Sequence, residues 1–157
     1  MKNMATLDIP MVMRDIDALV SYSEGDAAAG KGAMGCLGYC MSGRYAVNAA
    51  VRHRRVRAAA SLYGVALATD RENSPHLAPS KTDARFYFAC AETDQFAPPE
   101  MVDKLRAALA GQPNAEVEIY PGTQHGFAFP QRPAYDKAAA ERHWERLFAL
   151  FGAALKP

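Results

Sequence analysis

The sequence has few cysteines, little net charge and no long apolar run. Its three cysteines are an odd number without a Cys-x-x-Cys pair, so neither a disulfide framework nor a cysteine-based metal site is predicted. The 18 basic and 17 acidic residues nearly cancel, which argues against nucleic acid or an anionic membrane as a partner. No apolar run approaches the ~20 residues of a membrane helix, and the first residues do not resemble a secretory signal. We therefore expect a cytoplasmic protein, and we expect neither a metal nor another cofactor.

What is present indicates a single α/β domain over residues 1–157. The chain is 50% hydrophobic and 22% charged, which is typical of a globular domain of this length. Predicted strands cover 33–39, 56–63, 85–91 and 116–120, and predicted helices cover 10–23, 42–53, a segment opened by Pro98 and Pro99, and 134–154. Alternation of strands and helices predicts a parallel sheet of about four strands with helices on both faces.

The first and last helices each carry an apolar stripe at helical spacing. In the first helix the inward residues are predicted to be Met13, Ile16, Leu19 and Val20. In the last helix the stripe consists of Trp144, Leu147, Phe148 and Phe151. We expect both stripes to face the sheet.

The segment from Gly38 to Gly43 has the layout of a nucleophile elbow, in which a strand turns sharply into a helix. Such a turn brings the residues two before and two after its apex close together, so both must be small. Gly38 and Ser42 occupy these positions around Cys40. The apex lies at a helix N-terminus, where partial positive charge favours a thiolate. Cys40 is therefore a candidate nucleophile, and the backbone N–H of Met41 is a candidate oxyanion donor.

Two further candidates follow the next predicted strand ends. Asp94 comes directly after the apolar run 86–90, and His125 comes soon after the alternating run 117–120. In open α/β sheets, ligands bind at the carboxyl edge of the strands. The order nucleophile, acid, histidine is that of the α/β-hydrolases, in which the acid orients the histidine and the histidine activates the nucleophile.

Together these motifs resemble the dienelactone hydrolase (carboxymethylenebutenolidase) family of α/β-hydrolases. The matching segments are Gly-Tyr-Cys-Met-Ser-Gly at 38–43, Glu-Thr-Asp at 92–94, and Tyr-Pro-Gly followed by His-Gly-Phe within 120–127. The resemblance implies that Cys40 is the nucleophile, His125 the base and Asp94 the orienting acid. We expect the aromatic residues Tyr39, Phe127 and Phe129 to line the substrate pocket.

The sequence departs from the family pattern in three places. The family's N-terminal strands, which supply a second oxyanion amide and pocket residues, have no counterpart before residue 10. Ser42 stands where the best-known members carry Gly, and Gly126 and Phe129 stand where they carry Ser and a carboxylate-binding Arg. The resemblance thus implies a broader ester or lactone range rather than a narrow preference for anionic dienelactones.

Each candidate also has a purely structural interpretation. A free cysteine often only packs, which is the preferred interpretation of Cys36 and Cys90, and His143 is expected to be a surface or structural residue. Asp94 could cap a helix, His125 could be a hydrogen-bonded loop residue, and Glu92 is expected to be a solvated loop carboxylate.

Two function hypotheses follow. The favoured one is a hydrolase of small esters or lactones that uses a Cys-His-Asp triad and a thioester intermediate. The alternative is a truncated, catalytically weak module that acts by binding or by self-association. In the family's strand order the elbow strand would here be an open sheet edge, and an exposed apolar edge invites pairing with another chain.

Overall fold

Four parallel strands form the centre of the molecule. The computed structural model describes residues 6–156. Its elements are, in chain order, α1 (Ile9–Gly25), β1 (Met34–Tyr39), α2 (Gly43–Arg52), β2 (Val56–Leu62), β3 (Arg85–Thr93), α3 (Pro99–Leu109), β4 (Ala115–Gln124) and α4 (Lys137–Ala154). Single 3₁₀ turns cover Cys40–Ser42 and Pro75–Leu77. None of the helices in the described part of the chain combines the length and apolar character that a membrane span requires.

The strands lie in the order β1-β2-β3-β4, and every neighbouring pair is parallel. The predicted parallel sheet is confirmed, with β1 at one edge and β4 at the other. The main difference in length is β4, which continues past residue 120 to Gln124 because Thr93 and Gln124 still pair across the ends of β3 and β4. This extension brings the start of the histidine loop directly to the sheet edge.

Helices cover both faces of the sheet, as predicted. On one face, α2 and α3 pack on the aromatic side chains of β3 through a cluster that includes Val47, Leu105, Phe86 and Phe88. On the other face, α4 packs through Leu147 on a second cluster built from small and aromatic residues of β2 and β3. Both clusters bury apolar side chains, so burial of apolar area on two faces stabilises the sheet between the helices.

Helix α1 begins as the sequence predicts, but not all of the residues that we expected to face the sheet are buried. Asp8 accepts a hydrogen bond from the Met11 N–H (2.8 Å), and Met13 and Val20 are buried. Leu19 is 66% exposed, so the prediction that it faces the core is wrong. It lies instead beside an apolar groove of about 490 Å³ between α1, α2 and β1, the strand at the open edge of the sheet.

The predicted stripe on α4 is also wrong in part. Leu147 is buried and Phe151 packs against Gly35 of β1, but Trp144 and Phe148 are 46% and 71% exposed. The residues that face the sheet include Ala139, Ala140, His143 and Leu147. Small side chains let the helix approach closely, and the two large aromatic residues then stack on each other at the surface, with ring centroids 5.9 Å apart.

Candidate active site

The three predicted triad residues all follow strand ends at one edge of the sheet. Cys40 directly follows β1, Asp94 directly follows β3, and His125 directly follows β4. Because all four strands are parallel, their carboxyl ends meet at this edge. The fold therefore gathers at one edge residues that lie 85 positions apart in the sequence.

The turn at Cys40 has the backbone geometry of an elbow. Cys40 has φ +54°, a left-handed conformation that is uncommon for a residue other than glycine. A Cβ at Gly38 would lie 2.3 Å from the carbonyl oxygen of Ser42, so this position cannot hold a side chain without moving the backbone. Likewise, a Cβ at Gly43 would lie 2.2 Å from the hydroxyl oxygen of Ser61 on β2.

Ser42 lies two residues after Cys40, where the elbow requires a small residue, and hydrogen bonds accommodate its side chain there. Its hydroxyl donates to the Tyr39 carbonyl (2.8 Å) and accepts from the Tyr39 N–H (2.9 Å). The serine thus closes the turn across its base. Met41 directly follows Cys40 in the 3₁₀ turn that leads into α2, which is where an oxyanion donor is expected.

Asp94 and His125 form a direct pair. His125 Nδ1 donates to Asp94 Oδ2 over 2.7 Å, and the side chains are 14% and 1% exposed. Asp94 also accepts from the Phe96 N–H at its other oxygen (2.8 Å), so both carboxylate oxygens are engaged. Because a carboxylate can only accept, in the neutral ring this contact places the proton on Nδ1 and leaves Nε2 as the acceptor, which is the nitrogen that a base in a triad uses.

The loop that carries His125 is fixed by polar contacts that the sequence did not reveal. Glu92 accepts from the Gly122 N–H (2.9 Å), which ties the end of β3 to the end of β4. Thr123 is buried and donates to the Tyr120 carbonyl (2.7 Å). Glu92 is therefore an anchor of the loop rather than a purely solvated carboxylate.

The three aromatic residues predicted to line the pocket occupy different environments. Phe129 is 40% exposed and its ring centroid lies 5.0 Å from that of Tyr39, so these two form an accessible wall. Phe127 is completely buried and packs against Tyr63 and Tyr120. A pocket-lining role requires an accessible face, which Phe127 does not have in this structure, so its observed role is packing in the core.

His143 is a buried structural residue that contacts Tyr39, and it does not lie on the surface. It is fully buried, and its Nε2 lies 3.0 Å from the Tyr39 hydroxyl, while Nδ1 contacts the Ala140 carbonyl. Burial lowers the pKa of His143 and raises the pKa of Tyr39, so both side chains are held neutral. The prediction missed this contact because the two residues are 104 positions apart.

The other two cysteines are packing residues, as expected. All three cysteines are free, and Cys90, a residue of β3, is 3% exposed in the core. Burial is the main cause that raises the pKa of Cys90 to about 12, and burial also raises the pKa of Cys36. Within residues 6–156, no group of three or more His, Cys, Asp or Glu side chains is placed to hold a metal ion.

Comparison with solved structures identifies the same fold. A structure described as a dienelactone hydrolase from Klebsiella pneumoniae superposes with a TM-score of 0.83 and 24% identity, covering 95% of this chain and 63% of that one. A puromycin-hydrolyzing peptidase of Mycobacterium tuberculosis superposes with a TM-score of 0.71 and 18% identity, covering 89% and 24%. At these identities the similarity establishes the α/β fold alone.

Sequence comparison establishes the family. The chain is 31% identical over 144 residues to a Bradyrhizobium protein named as a 2-oxo-3-(5-oxofuran-2-ylidene)propanoate lactonase, covering 88% of this chain and 58% of the relative. It is 30% identical over 144 residues to a Salmonella typhi protein named as a carboxymethylenebutenolidase, covering 89% and 53%. The chain thus spans about half the length of the curated relatives it matches. The family model of the dienelactone hydrolases matches residues 1–155, and the chain belongs to the dienelactone hydrolase family.

Proposed function

We propose that the protein hydrolyses small ester or lactone substrates through Cys40, His125 and Asp94. The observation that carries this proposal is the 2.7 Å pair between Asp94 and His125 at the same sheet edge as the strained elbow of Cys40. A buried carboxylate that orients a histidine, at the sheet edge that also carries a candidate nucleophile, has the components of a triad. The names of the two relatives above agree with an ester or lactone substrate.

The first half of the proposed cycle forms a thioester. His125 Nε2 takes the thiol proton of Cys40, and the sulfur attacks the carbonyl carbon of the substrate. An S–C bond forms while the carbonyl π electrons move to oxygen, and in this proposal the backbone N–H of Met41 binds that oxyanion. When the oxyanion collapses, the C–O bond to the alcohol breaks, and the imidazolium gives its proton to the departing oxygen.

The second half of the cycle releases the acid. His125 takes a proton from water, and the hydroxide attacks the thioester carbonyl. The C–S bond then breaks, the acid leaves, and the imidazolium returns its proton to the sulfur of Cys40. Asp94 keeps its proton-free form throughout and stabilises the imidazolium of both half-reactions. In this scheme the free thiols at all three cysteines fit a reducing compartment, and we propose that the protein acts in the cytoplasm.

A rapid-quench experiment tests the proposed intermediate. The protein is mixed with p-nitrophenyl acetate, quenched in acid within the first turnover, digested and analysed by mass spectrometry. We expect an acetyl group on Cys40 and none on Cys36 or Cys90, whose pKa values are raised by burial; fragmentation of the peptide that holds both Cys36 and Cys40 locates the group. Acetylation of lysines alone, at the same rate in Cys40→Ala, would contradict the proposal.

A second candidate function is self-association through β1. Strand β1 pairs only with β2, so the backbone groups of its outer edge have no strand partner within residues 6–156. Its sequence, Met34–Tyr39, contains no charged residue. By contrast the other edge strand, β4, carries Glu116, Glu118 and Pro121, and charges and proline protect an edge from pairing.

We propose that a second copy of this chain pairs with the free edge of β1. A two-fold axis beside β1 would pair the β1 strands of the two copies antiparallel and would cover the apolar groove between α1, α2 and β1. Leu37 is 39% exposed on β1. Sedimentation velocity should show a dimer for the wild-type protein and for Phe148→Lys, which changes an exposed residue on α4. Leu37→Lys should be monomeric. A wild-type monomer at all concentrations would contradict self-association.

A further inference from the structure

His143 is a buried polar side chain on a helix face that is otherwise apolar. The buried residues of α4 are Ala139, Ala140, His143 and Leu147, and His143 is fully buried. Burying an imidazole costs free energy unless its nitrogens are hydrogen-bonded, whereas an apolar side chain of similar size would pack there without that cost. Departures of this kind from simple packing concentrate at functional sites, so the contacts of His143 require an explanation.

Both nitrogens of the imidazole are engaged, and their partners fix its tautomer. Nδ1 contacts the Ala140 carbonyl, which can only accept, so the proton of the neutral ring lies on Nδ1. Nε2 lies 3.0 Å from the Tyr39 hydroxyl and therefore accepts the hydrogen bond that this hydroxyl donates. The contact joins α4 to the last residue of β1, the strand at the open edge of the sheet.

The Tyr39 ring belongs to a wall of three aromatic rings that reaches the candidate base. Its centroid lies 5.0 Å from that of Phe129 and 5.6 Å from that of Tyr63. The Tyr63 ring lies in turn 5.0 Å from the His125 ring in an edge-on contact. Tyr39 also directly precedes Cys40, and both residues pack against the same core cluster. The wall therefore stands beside the candidate nucleophile and the candidate base.

Tyr39 is held at its backbone and at its hydroxyl. Its N–H and its carbonyl both bond to the Ser42 hydroxyl, over 2.9 and 2.8 Å, which fixes the main chain at the elbow. These backbone contacts leave the side chain free to rotate between staggered rotamers. The residue is partly exposed on an edge strand, which pairs on one side only within residues 6–156. The hydrogen bond to His143 is thus the contact that fixes the far end of the ring.

We propose that His143 is a positioning residue that holds the Tyr39 ring in the wall and so limits the size of the group that reaches Cys40. His143 acts through Tyr39 and does not itself touch the substrate. Without the imidazole acceptor, the ring can leave the wall for another rotamer, and the space beside Cys40 widens. The proposal rests on the proposed function, in which this wall favours small esters or lactones over bulky ones.

The test compares a small and a bulky thiol reagent on Cys40. The wild type, His143→Phe, Tyr39→Phe and the double variant are treated with iodoacetamide or with N-phenylmaleimide. Fragmentation of the peptide that holds both Cys36 and Cys40 locates the modification. Each single variant removes the hydrogen bond and keeps a ring, so the ratio of the bulky to the small rate should rise about fivefold. The double variant should match the single variants, because both substitutions remove the same contact.

Tyr120→Phe is the matched control, because its hydroxyl contacts that of Tyr87 and no ring of the wall. Its rate ratio should equal that of the wild type, and a rise equal to that of Tyr39→Phe would overturn the proposal. An unchanged ratio in Tyr39→Phe, additive increases in the double variant, or a wild-type Cys40 that reacts with neither reagent would also overturn it.

Two features keep this test decisive. If His143→Phe does not fold, Tyr39→Phe decides alone, since it removes the same hydrogen bond from the partly exposed partner. Alkylation does not need turnover, so a raised ratio without hydrolysis of p-nitrophenyl acetate would reject the proposed function and leave the role of His143 intact. Normal hydrolysis with an unchanged ratio would reject the role of His143 alone.

Discussion

Replacing Asp94 by Asn probes the pair on which the proposed mechanism depends. Asp94 has a side chain that is 1% exposed and accepts hydrogen bonds from His125 Nδ1 (2.7 Å) and from the Phe96 N–H (2.8 Å). An asparagine has nearly the same shape, so its carbonyl can keep the contact with Phe96. Its amide N–H₂ then faces His125 Nδ1, and two donors cannot share that contact.

The consequence is a reversed tautomer. His125 must present an unprotonated Nδ1 to the amide, which moves its proton to Nε2 and removes the acceptor for the thiol proton of Cys40. The same substitution in a serine protease triad lowers kcat about 10⁴-fold, which corresponds to about 5.5 kcal/mol of transition-state stabilisation. We expect a loss of similar size in kcat/KM here, with a circular dichroism spectrum equal to that of the wild type.

The assay is hydrolysis of p-nitrophenyl acetate at pH 8 by the wild type, Asp94→Asn and Asp83→Asn. Asp83 is the control because its side chain is 77% exposed and pairs with Arg57 at the amino ends of β2 and β3, opposite the edge that carries the candidate site. Asp83→Asn should keep wild-type kcat/KM. If folded Asp94→Asn retained more than about a tenth of the wild-type value, the buried carboxylate would not orient a catalytic base, since the tautomer argument requires a far larger loss.

Three further outcomes follow from the contacts around the site. Gly38→Ala should lower the free energy of unfolding by about 1–3 kcal/mol in a urea titration, because its Cβ would lie 2.3 Å from a backbone carbonyl oxygen. Gly30→Ala is the control, since a Cβ at that position meets open space, and it should not lower this energy. Glu92→Ala should lower that energy by about 1 kcal/mol and reduce kcat/KM, because Gly122 loses its acceptor. Burial lowers the pKa of His143 below 6.5, so on acidification the unfolded chain binds a proton before the folded chain does. The contribution of His143 to the free energy of unfolding should therefore be complete above pH 6.5 and should decrease as the pH falls. Calorimetry of His143→Gln should show a smaller decrease.

The fold was predictable because its determinants are local. Each determinant specifies structure within a few residues of itself. The determinants are hydrophobic runs of strand length, proline and aspartate at helix starts, and the glycine before the elbow. The packing of α1 and α4 was less predictable. Leu19 and Phe148 match the helical period, but which side of a helix meets the sheet depends on the strand edge and on small residues that let the helix approach.

The candidate triad was also predictable, because each member directly follows a strand and all the strands are parallel. The contacts that hold the triad loops and the neighbouring aromatic residues in place were not predictable. Glu92 with Gly122, and Tyr39 with His143, join residues 30 and 104 positions apart, and their meeting depends on tertiary packing. Tyr63 lies in no motif, and its left-handed backbone and its buried hydroxyl, which has no hydrogen-bond partner among residues 6–156, are visible only in the folded chain.

The most direct test of the central claim is turnover of p-nitrophenyl acetate by the wild type beside Cys40→Ala at matched concentration. Cys36→Ala serves as the control, since that thiol packs in the core and burial raises its pKa. The proposed mechanism predicts steady turnover by the wild type and by Cys36→Ala, and none above background by Cys40→Ala. Equal rates for the wild type and Cys40→Ala would contradict a cysteine hydrolase in this chain.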